Sequence, residues 1–345
     1  MSFRHNSGNS YPPIEVHVTR GNFTESVHLI DAAVVDHQGQ LVASFGPAET
    51  IRTYPRSAIK MLQAVNLIES GAYHRFDLND RHLSLACSSH NGEAPHTNLV
   101  LDWLERIGMS EEDLVCGPHY PYDEKTAREL IHRGLSPRPC HNNCSGKHTA
   151  FLTSMKALDW NPKHYDAFDH PLQKYLRKIL FELSEEDLSH APWGIDGCGI
   201  PTYAMSLLGM ARGLRFLLPD VSVSAERNET FRLIREAVLK QPYYVGGSGD
   251  FCSDLMMHTQ GRMILKSGAE GVYAGTLLLE GLSFALKVRD GNARAARVAA
   301  GALLRAFHGL TDHEFLQLSS HTQPEVKNWA GLTVGKIFVP HPLLG

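Results

Sequence analysis

The chain has 345 residues, of which 43% are hydrophobic and 20% are charged, and its formal net charge is −4. This balance is typical of a globular protein and gives no bulk electrostatic attraction to nucleic acid or to an anionic membrane surface. No apolar run could span a bilayer, and residues 1–13 lack the apolar core of a secretory signal, so we expect a cytoplasmic protein without nucleic-acid or membrane partners.

The first hundred residues predict strands followed by a helix. Alternating apolar residues indicate strands at residues 14–20, 27–36 and 41–45, joined by turn-forming residues into an antiparallel meander. A helix is predicted to begin at Ser57 and to end at Gly71, since glycine is common just past a helix end. Residues 83–87 are predicted as a short buried strand or turn.

Helices dominate the middle of the chain and strands return near its end. The predicted helices cover residues 96–107, 145–158, 171–183, 201–217, 225–239 and 293–307, and the later strands cover 263–266, 272–278, 282–288 and 332–339. The expected fold class is α+β: a mixed, largely antiparallel sheet built from both chain ends and flanked by helices, with a helical insertion. We expect one domain over residues 1–345, with a sheet part at about 10–92 and 243–345 and a helical part at about 93–242.

Three short motifs combine serine and lysine: Ser57-x-x-Lys60, Ser89-His90-Asn91 and Lys266-Ser267-Gly268. In this order they match S-x-x-K, S-x-N and K-[ST]-G, the motif set of serine penicillin-recognising enzymes, in which a serine attacks and a lysine shuttles its proton. On a helix, Ser57 and Lys60 would share one face. Alone, the pair is equally typical of an N-cap serine and a solvated lysine. With the other two motifs it predicts a serine–lysine hydrolase.

Two of the six cysteines stand close to glycine at predicted helix starts. Cys144 and Cys198 could supply thiolates to zinc, with His148, Asp196 or a neutral Lys147 completing the site. The alternative is that both are buried small hydrophobic residues, the commonest role of a free cysteine. Asp196 is typical either of a turn or of a site carboxylate.

The chain resembles the asparaginase II family, the Rhizobium etli-type L-asparaginases, over nearly its whole length. The resemblance rests on motifs rich in serine, lysine and cysteine: Arg56-Ser57-Ala58-x-Lys60, Cys87-x-Ser89-His90, Asn143-Cys144-Ser145-Gly146-Lys147-His148, Trp193-Gly194-x-Asp196-Gly197-Cys198 and Lys266-x-Gly268, with Asp169-His170-Pro171 and Asp290-Gly291-Asn292 matching as well.

This resemblance implies a fold similar to serine β-lactamases and glutaminases, in a homodimer. It implies two serine–lysine tandems, Ser57–Lys60 and Ser89–Lys266. It also implies a zinc site formed by Cys144, Lys147 and Cys198 with Asp196 at its edge, where the metal aids substrate binding and is not strictly required. Substrate binding is expected from Arg56, His90 and Asp196.

The leading hypothesis is an amidohydrolase that converts L-asparagine to L-aspartate and ammonia. Ser57 would attack the side-chain amide with Lys60 as base, while Ser89 and Lys266 relay protons or activate Ser57; which serine forms the covalent bond stays open. One alternative is a serine hydrolase of the β-lactamase or glutaminase type acting on another amide. The other is a non-catalytic zinc-binding protein.

Overall fold

The computed structural model describes residues 8–219 and 221–344. Residues 1–7, which are part of the segment that lacks the apolar core of a secretory signal, lie outside the described residues. The strands are, in chain order, β1 (Asn9–Tyr11), β2 (Ile14–Arg20), β3 (Phe23–Asp36), β4 (Leu41–Phe45), β5 (Arg52–Thr53), β6 (Trp193–Ile195), β7 (Pro201–Tyr203), β8 (Met205–Ser206), β9 (Met263–Gly268), β10 (Val272–Leu277), β11 (Leu282–Val288), β12 (Glu325–Lys327) and β13 (Thr333–Phe338).

The α-helices are α1 (Lys60–Gln63), α2 (Val65–Glu69), α3 (Ala72–Arg75), α4 (Asp80–Ala86), α5 (Ala94–Arg106), α6 (Glu124–His132), α7 (Ser145–Ala157), α8 (Pro171–Ser184), α9 (Leu207–Leu214), α10 (Ala225–Lys240), α11 (Tyr243–Gly246), α12 (Phe251–His258), α13 (Ala293–Ala306), α14 (Asp312–Gln317) and α15 (Ser319–Thr322). Short 3₁₀ helices cover Arg56–Ile59, Glu111–Asp113, Pro139–His141 and Arg215–Leu217. Among the described residues, no helix combines the length and the apolar character needed to cross a membrane.

The chain divides into two compact units. The sheet unit comprises the described parts of Met1–Ala58, Met205–Val221 and His258–Gly345. The helical unit comprises Ile59–Ala204 and Ser222–Met257.

Among the described residues, a nine-stranded sheet forms the sheet unit, in the order β12-β13-β2-β3-β11-β10-β9, with β4 paired to β3 and β1 paired to β4. All its pairings are antiparallel except the parallel pair of β1 with β4. The long strand β3 pairs with β11 along one edge and shares its other edge between β2 and β4. Helices α9 and α13 both pack against this sheet. The expected α+β class, with a mixed and largely antiparallel sheet from both chain ends, is therefore confirmed.

Helix α7 lies at the centre of the helical unit, in contact with α2, α3, α4 and α5. All its residues from Ser145 to Met155 are buried. The hydroxyls of Thr149, Thr153 and Ser154 donate to carbonyls four residues back, which satisfies their polar atoms inside the core. A Cβ on Gly146 would lie 2.4 Å from the Leu85 carbonyl oxygen, so glycine is what allows α7 to approach α4 this closely.

Three predicted elements were wrong. Residues 83–87 belong to helix α4 and the following turn, because Asn79 accepts from the Arg81 N–H and starts the helix with a capping box. The predicted helix over 201–217 begins only at Leu207, where Ser206 accepts from the Gly209 N–H at 2.8 Å. Pro201 instead opens strand β7.

The predicted helix from Ser57 to Gly71 is divided into a 3₁₀ turn, α1 and α2. Its end is confirmed, since Gly71 has a φ of 74°.

Candidate active site

The helical unit holds a buried lysine against a serine hydroxyl. Lys60, at the start of α1, is 1% exposed, and its Nζ lies 3.1 Å from Ser89 Oγ. The same Nζ donates to the Ser88 carbonyl and lies 3.5 Å from the Asn143 carbonyl oxygen. Three oxygens thus face the three N–H bonds of an ammonium. When this nitrogen is neutral, it can accept the proton of Ser89, which is the activation a serine nucleophile requires.

The loop that carries Ser89 is fixed by backbone hydrogen bonds. The Ser89 N–H donates to the Val245 carbonyl and the Asn91 N–H to the Gly246 carbonyl, both at 2.8 Å. The next residue, Gly247, has a φ of 111°, and a Cβ there would lie 2.4 Å from Asn91 Oδ1. The backbone around Gly247 is therefore a close-packed support for the Ser89 loop.

The sheet unit places Ser57 beside the strand that carries Lys266. Ser57 is half-buried in the 3₁₀ helix Arg56–Ile59. A Cβ on Gly268, at the end of β9, would lie 2.7 Å from the Pro55 carbonyl oxygen and 3.2 Å from the Ala58 nitrogen, so the strand end and the Ser57 segment are in close backbone contact. Lys266 is 1% exposed on the same strand, and its Nζ donates to the Ser267 carbonyl at 2.9 Å.

Arg56 precedes Ser57 in a strained conformation. Its φ of 51° lies in the left-handed region, where a residue with a side chain loses about 1 kcal/mol or more. Such strain is often found at functional positions.

Cys144, Lys147 and Cys198 come together inside the helical unit. Lys147 Nζ lies 3.0 Å from Cys198 Sγ, and the thiols of Cys144 and Cys198 are hydrogen-bonded to each other. All three side chains are buried. Cys144 directly precedes α7, and Cys198 lies in the turn between β6 and β7. The helix start and the hairpin therefore bring two sulfurs and one nitrogen to the same place.

The charges in this cluster are mutually dependent. The hydrogen bond from Cys144, aided by the Lys147 ammonium, holds the pKa of Cys198 well below its usual value against the effect of burial. The same hydrogen bond and burial raise the pKa of Cys144 to about 12. Burial acts to lower the pKa of Lys147, but the Cys198 and Cys144 sulfurs raise it overall. These shifts favour a thiolate at Cys198 beside the Lys147 ammonium and a neutral thiol at Cys144.

Across the described residues, no group of three or more His, Cys, Asp or Glu side chains is placed to hold a metal ion. A metal site at Cys144 and Cys198 would therefore depend on the Lys147 nitrogen as its third donor. Two sulfurs and one nitrogen suit a soft or borderline cation such as Zn²⁺, for which three protein ligands leave a fourth position open.

The three expected substrate-binding residues lie in different settings. Arg56 is half-buried in the sheet unit. Asp196 is half-buried in the β6–β7 turn of the helical unit, where its backbone N–H donates to the Ile200 carbonyl at 2.8 Å and its carboxylate accepts from the Gly197 N–H at 2.6 Å. His90 is 0% exposed, and both of its ring nitrogens are hydrogen-bonded to protein atoms. Their contact with substrate stays a prediction.

Sequence reasoning missed the part played by Asn142. Its side chain donates to the carbonyls of Cys116 and Gly117, at 2.7 and 2.8 Å, and accepts from the Cys144 N–H at 2.9 Å. This buried amide fixes the segment that presents the Asn143 carbonyl to Lys60 and the Cys144 thiol to Cys198. An asparagine two residues before the N-cap residue Cys144 was the available signal.

Comparison with known proteins decides the family. The profile of the family described as L-asparaginase II matches residues 16–339, which is most of the chain. The chain belongs to the L-asparaginase II family. The resemblance seen in the motifs is thereby confirmed, and the protein is a hydrolase of the asparaginase type.

Other comparisons add little to this assignment. No curated protein matches the chain. Among solved structures, the chain is similar to a Bacteroides dorei DSM 17855 protein described as a "putative beta-lactamase", with 15% identity and a TM-score of 0.37 over 81% of this chain and 85% of the other. A likeness of that size carries no argument about function.

Proposed function

We propose that this member of the L-asparaginase II family hydrolyses L-asparagine to L-aspartate and ammonia through a serine–lysine mechanism. The observation that carries the proposal is the 3.1 Å contact between the buried Lys60 amine and the Ser89 hydroxyl. A serine hydrolase must turn a weak hydroxyl nucleophile into an alkoxide-like one, and a neutral lysine nitrogen within hydrogen-bond reach can act as the base.

The proposed reaction proceeds in two halves. A serine oxygen forms a bond to the side-chain amide carbon while the neutral Lys60 nitrogen takes the hydroxyl proton. The carbon–nitrogen bond then breaks, and the leaving nitrogen takes that proton from Lys60 and departs as ammonia. Water attacks the resulting ester, again giving a proton to Lys60, and the serine oxygen recovers it as L-aspartate is released.

Two serines compete for the nucleophilic role. Ser89 has the hydrogen bond to Lys60, which favours Ser89 as the serine that exchanges protons with this lysine. Ser57 is the alternative nucleophile, in which case Ser89 relays the proton. Rapid quenching with L-asparagine followed by peptide mass spectrometry separates the two: an added aspartyl group on Ser89 supports direct attack, and one on Ser57 supports the relay.

Zinc is a second part of the proposal. Cys144, Lys147 and Cys198 would hold the ion, with Lys147 as a neutral amine. When bound, zinc would supply a positive charge that attracts the carboxylate of the substrate. Two thiols and an amine buried within contact of one another support this ligand set. The chain's own contribution is to hold these donors at the start of α7 and in the β6–β7 turn.

The test is ammonia release from L-asparagine, with L-glutamine as the comparison substrate and a fluorescent penicillin as a probe for the β-lactamase-type alternative. We expect release from asparagine and no penicillin labelling. No ammonia from asparagine at any zinc concentration would exclude the proposal. The homodimer and the cytoplasmic location are further proposals, which light scattering and cell fractionation would check.

A further inference from the structure

The His90 ring is hydrogen-bonded at both of its nitrogens to other residues of the chain. The Gly92 backbone N–H donates to His90 Nδ1 at 3.2 Å, and His90 Nε2 lies 2.8 Å from Ser145 Oγ. A backbone N–H can only donate, so Nδ1 is unprotonated and the ring proton sits on Nε2, from which it is donated to Ser145. Ser145 in turn donates to the Cys140 carbonyl at 3.0 Å. Both ring nitrogens of His90 therefore have hydrogen-bond partners within the protein.

The surroundings of the His90 ring hold it stacked and neutral. His90 stacks on His96 with ring centroids 5.1 Å apart and an interplanar angle of 10°. Burial, followed by the nearby His96 and Lys60, holds the pKa of His90 well below its usual value. A protonated ring would also place a second N–H against the Gly92 N–H. The tautomer with hydrogen on Nε2 is therefore the one this site accepts.

The hydrogen bond between His90 and Ser145 affects the contacts of Lys60. Lys60 Nζ contacts the Ser88–Ser89 loop on one side and the Asn143 carbonyl, just before α7, on the other. His90 follows Ser89 directly, and Ser145 lies two residues after Asn143. The His90–Ser145 bond therefore ties together the two segments that Lys60 must contact at the same time.

We propose that His90 is a positioning residue, whose hydrogen bond to Ser145 sets the distance between Ser89 Oγ and Lys60 Nζ. This inference rests on the proposed function and deepens it, because it assigns His90 to the support of the serine–lysine pair and not to substrate contact. Misplacement of a nucleophile by about 1 Å can reduce a rate by about 100-fold. The loss should appear in kcat, since the bond does not involve the substrate.

Paired substitutions test the bond. In His90→Asn the amide oxygen can still accept from Gly92, but the side chain is too short to reach Ser145. In His90→Gln the amide nitrogen can replace Nε2 as the donor to Ser145. Ser145→Ala removes the acceptor. Ser154→Ala is the matched control: it is also a buried serine of α7, but its hydroxyl donates only to the Ala150 carbonyl of its own helix, at 3.0 Å.

We expect kcat to fall about 10- to 100-fold in His90→Asn and in Ser145→Ala, with KM within about twofold of wild type. The double variant should be no slower than the slower single one, because both changes remove the same interaction. His90→Gln should recover most of the rate, and Ser154→Ala should match wild type. An unchanged kcat in Ser145→Ala, a change confined to KM, or losses that multiply in the double variant would overturn the inference.

A second readout does not depend on any substrate. ¹⁵N-histidine NMR of the wild type should show a neutral His90 with its proton on Nε2, and this signal should shift in Ser145→Ala but not in Ser154→Ala. If wild type releases no ammonia from asparagine, the proposed function fails, and the NMR result still decides the role of His90. A proton on Nδ1, or a signal indifferent to Ser145→Ala, would contradict it. If His90→Asn does not fold, Ser145→Ala carries both measurements.

Discussion

Lys60 Nζ lies 3.1 Å from Ser89 Oγ, although the two residues are 29 positions apart in the chain. The contact arises because the loop after α4 and the segment before α7 converge on the start of α1. It joins two residues of separate motifs, each of which is uninformative alone.

The first prediction concerns Ser89 and its neighbour Ser88. Ser89→Ala and Lys60→Met should each reduce kcat for asparagine about 1,000-fold or more, and the double variant should be no worse, since the two groups act as a unit. Ser88→Ala is the control, because the buried Ser88 hydroxyl has no hydrogen-bond partner among the described residues. Steady-state ammonia assays measure all four. A Ser88→Ala variant as slow as Ser89→Ala would point to disruption of the loop and not to lost chemistry.

The second prediction uses Gly268 to examine the Ser57 segment. In Gly268→Ala the new Cβ would meet the Pro55 carbonyl oxygen at 2.7 Å, which displaces the backbone that carries Ser57. In Gly275→Ala, on neighbouring β10, the Cβ would meet the Ile264 carbonyl oxygen at 2.3 Å, within the sheet itself. Both variants should be less stable in urea unfolding. At a temperature where both remain folded, we expect Gly268→Ala to lose at least about tenfold more activity. Equal activity in the two would show that the position of Ser57 is unimportant.

The third prediction concerns zinc. Isothermal titration of zinc into metal-free protein should give one bound ion per chain, and Cys144→Ala, Cys198→Ala or Lys147→Met should weaken binding about 100-fold or more. Cys252→Ala is the control, as another buried cysteine of the helical unit. Chelation should raise KM for asparagine and leave the circular dichroism unchanged. Unfolding on chelation would instead favour a non-catalytic zinc-binding protein.

The sequence defined the strands better than it defined the contacts. Strands β2, β4 and β11 begin and end where alternation and turn residues placed them, because their periodicity and flanking turns are local signals. Helix α4 was missed because its apolar residues also fit a buried strand, and the capping by Asn79 is a single-residue signal. The predicted helix over residues 145–158 is confirmed as α7.

The site residues were found by motif, but their contacts were not. Spacing on a helix relates Lys60 to Ser57, whereas the hydrogen bond to Ser89 depends on how α4 approaches α7 at Gly146. That approach depends on tertiary packing, which no local sequence pattern predicts. The same holds for His90, because the family resemblance implies substrate contact whereas the ring is enclosed by Gly92, Ser145 and His96.

The last prediction concerns acid stability and His82, which lies in the capping box of α4 three residues after Asn79. The ring is 5% exposed and lies edge-on to Trp103. Burial, and secondarily the charge of Arg106, lowers the pKa of His82 from 6.5 to about 4. In the unfolded chain this histidine regains its ordinary pKa, so between these two values the unfolded state binds more protons than the folded state. The free energy of unfolding must then rise with pH across this interval and fall as the solution is acidified.

We expect His82→Gln to remove this dependence, because glutamine at the same capping position can keep the helix start and does not titrate. Between pH 7 and pH 4 the wild type should lose about 2 kcal/mol more stability than His82→Gln, after allowance for solvent screening. Urea unfolding at a series of pH values measures this difference. The exposed His74 provides the control, and His74→Gln should follow the wild-type curve. If His82→Gln and wild type lose stability in parallel on acidification, the protonation of His82 is not what weakens α4, and the buried His90 and His148 are then the groups to test.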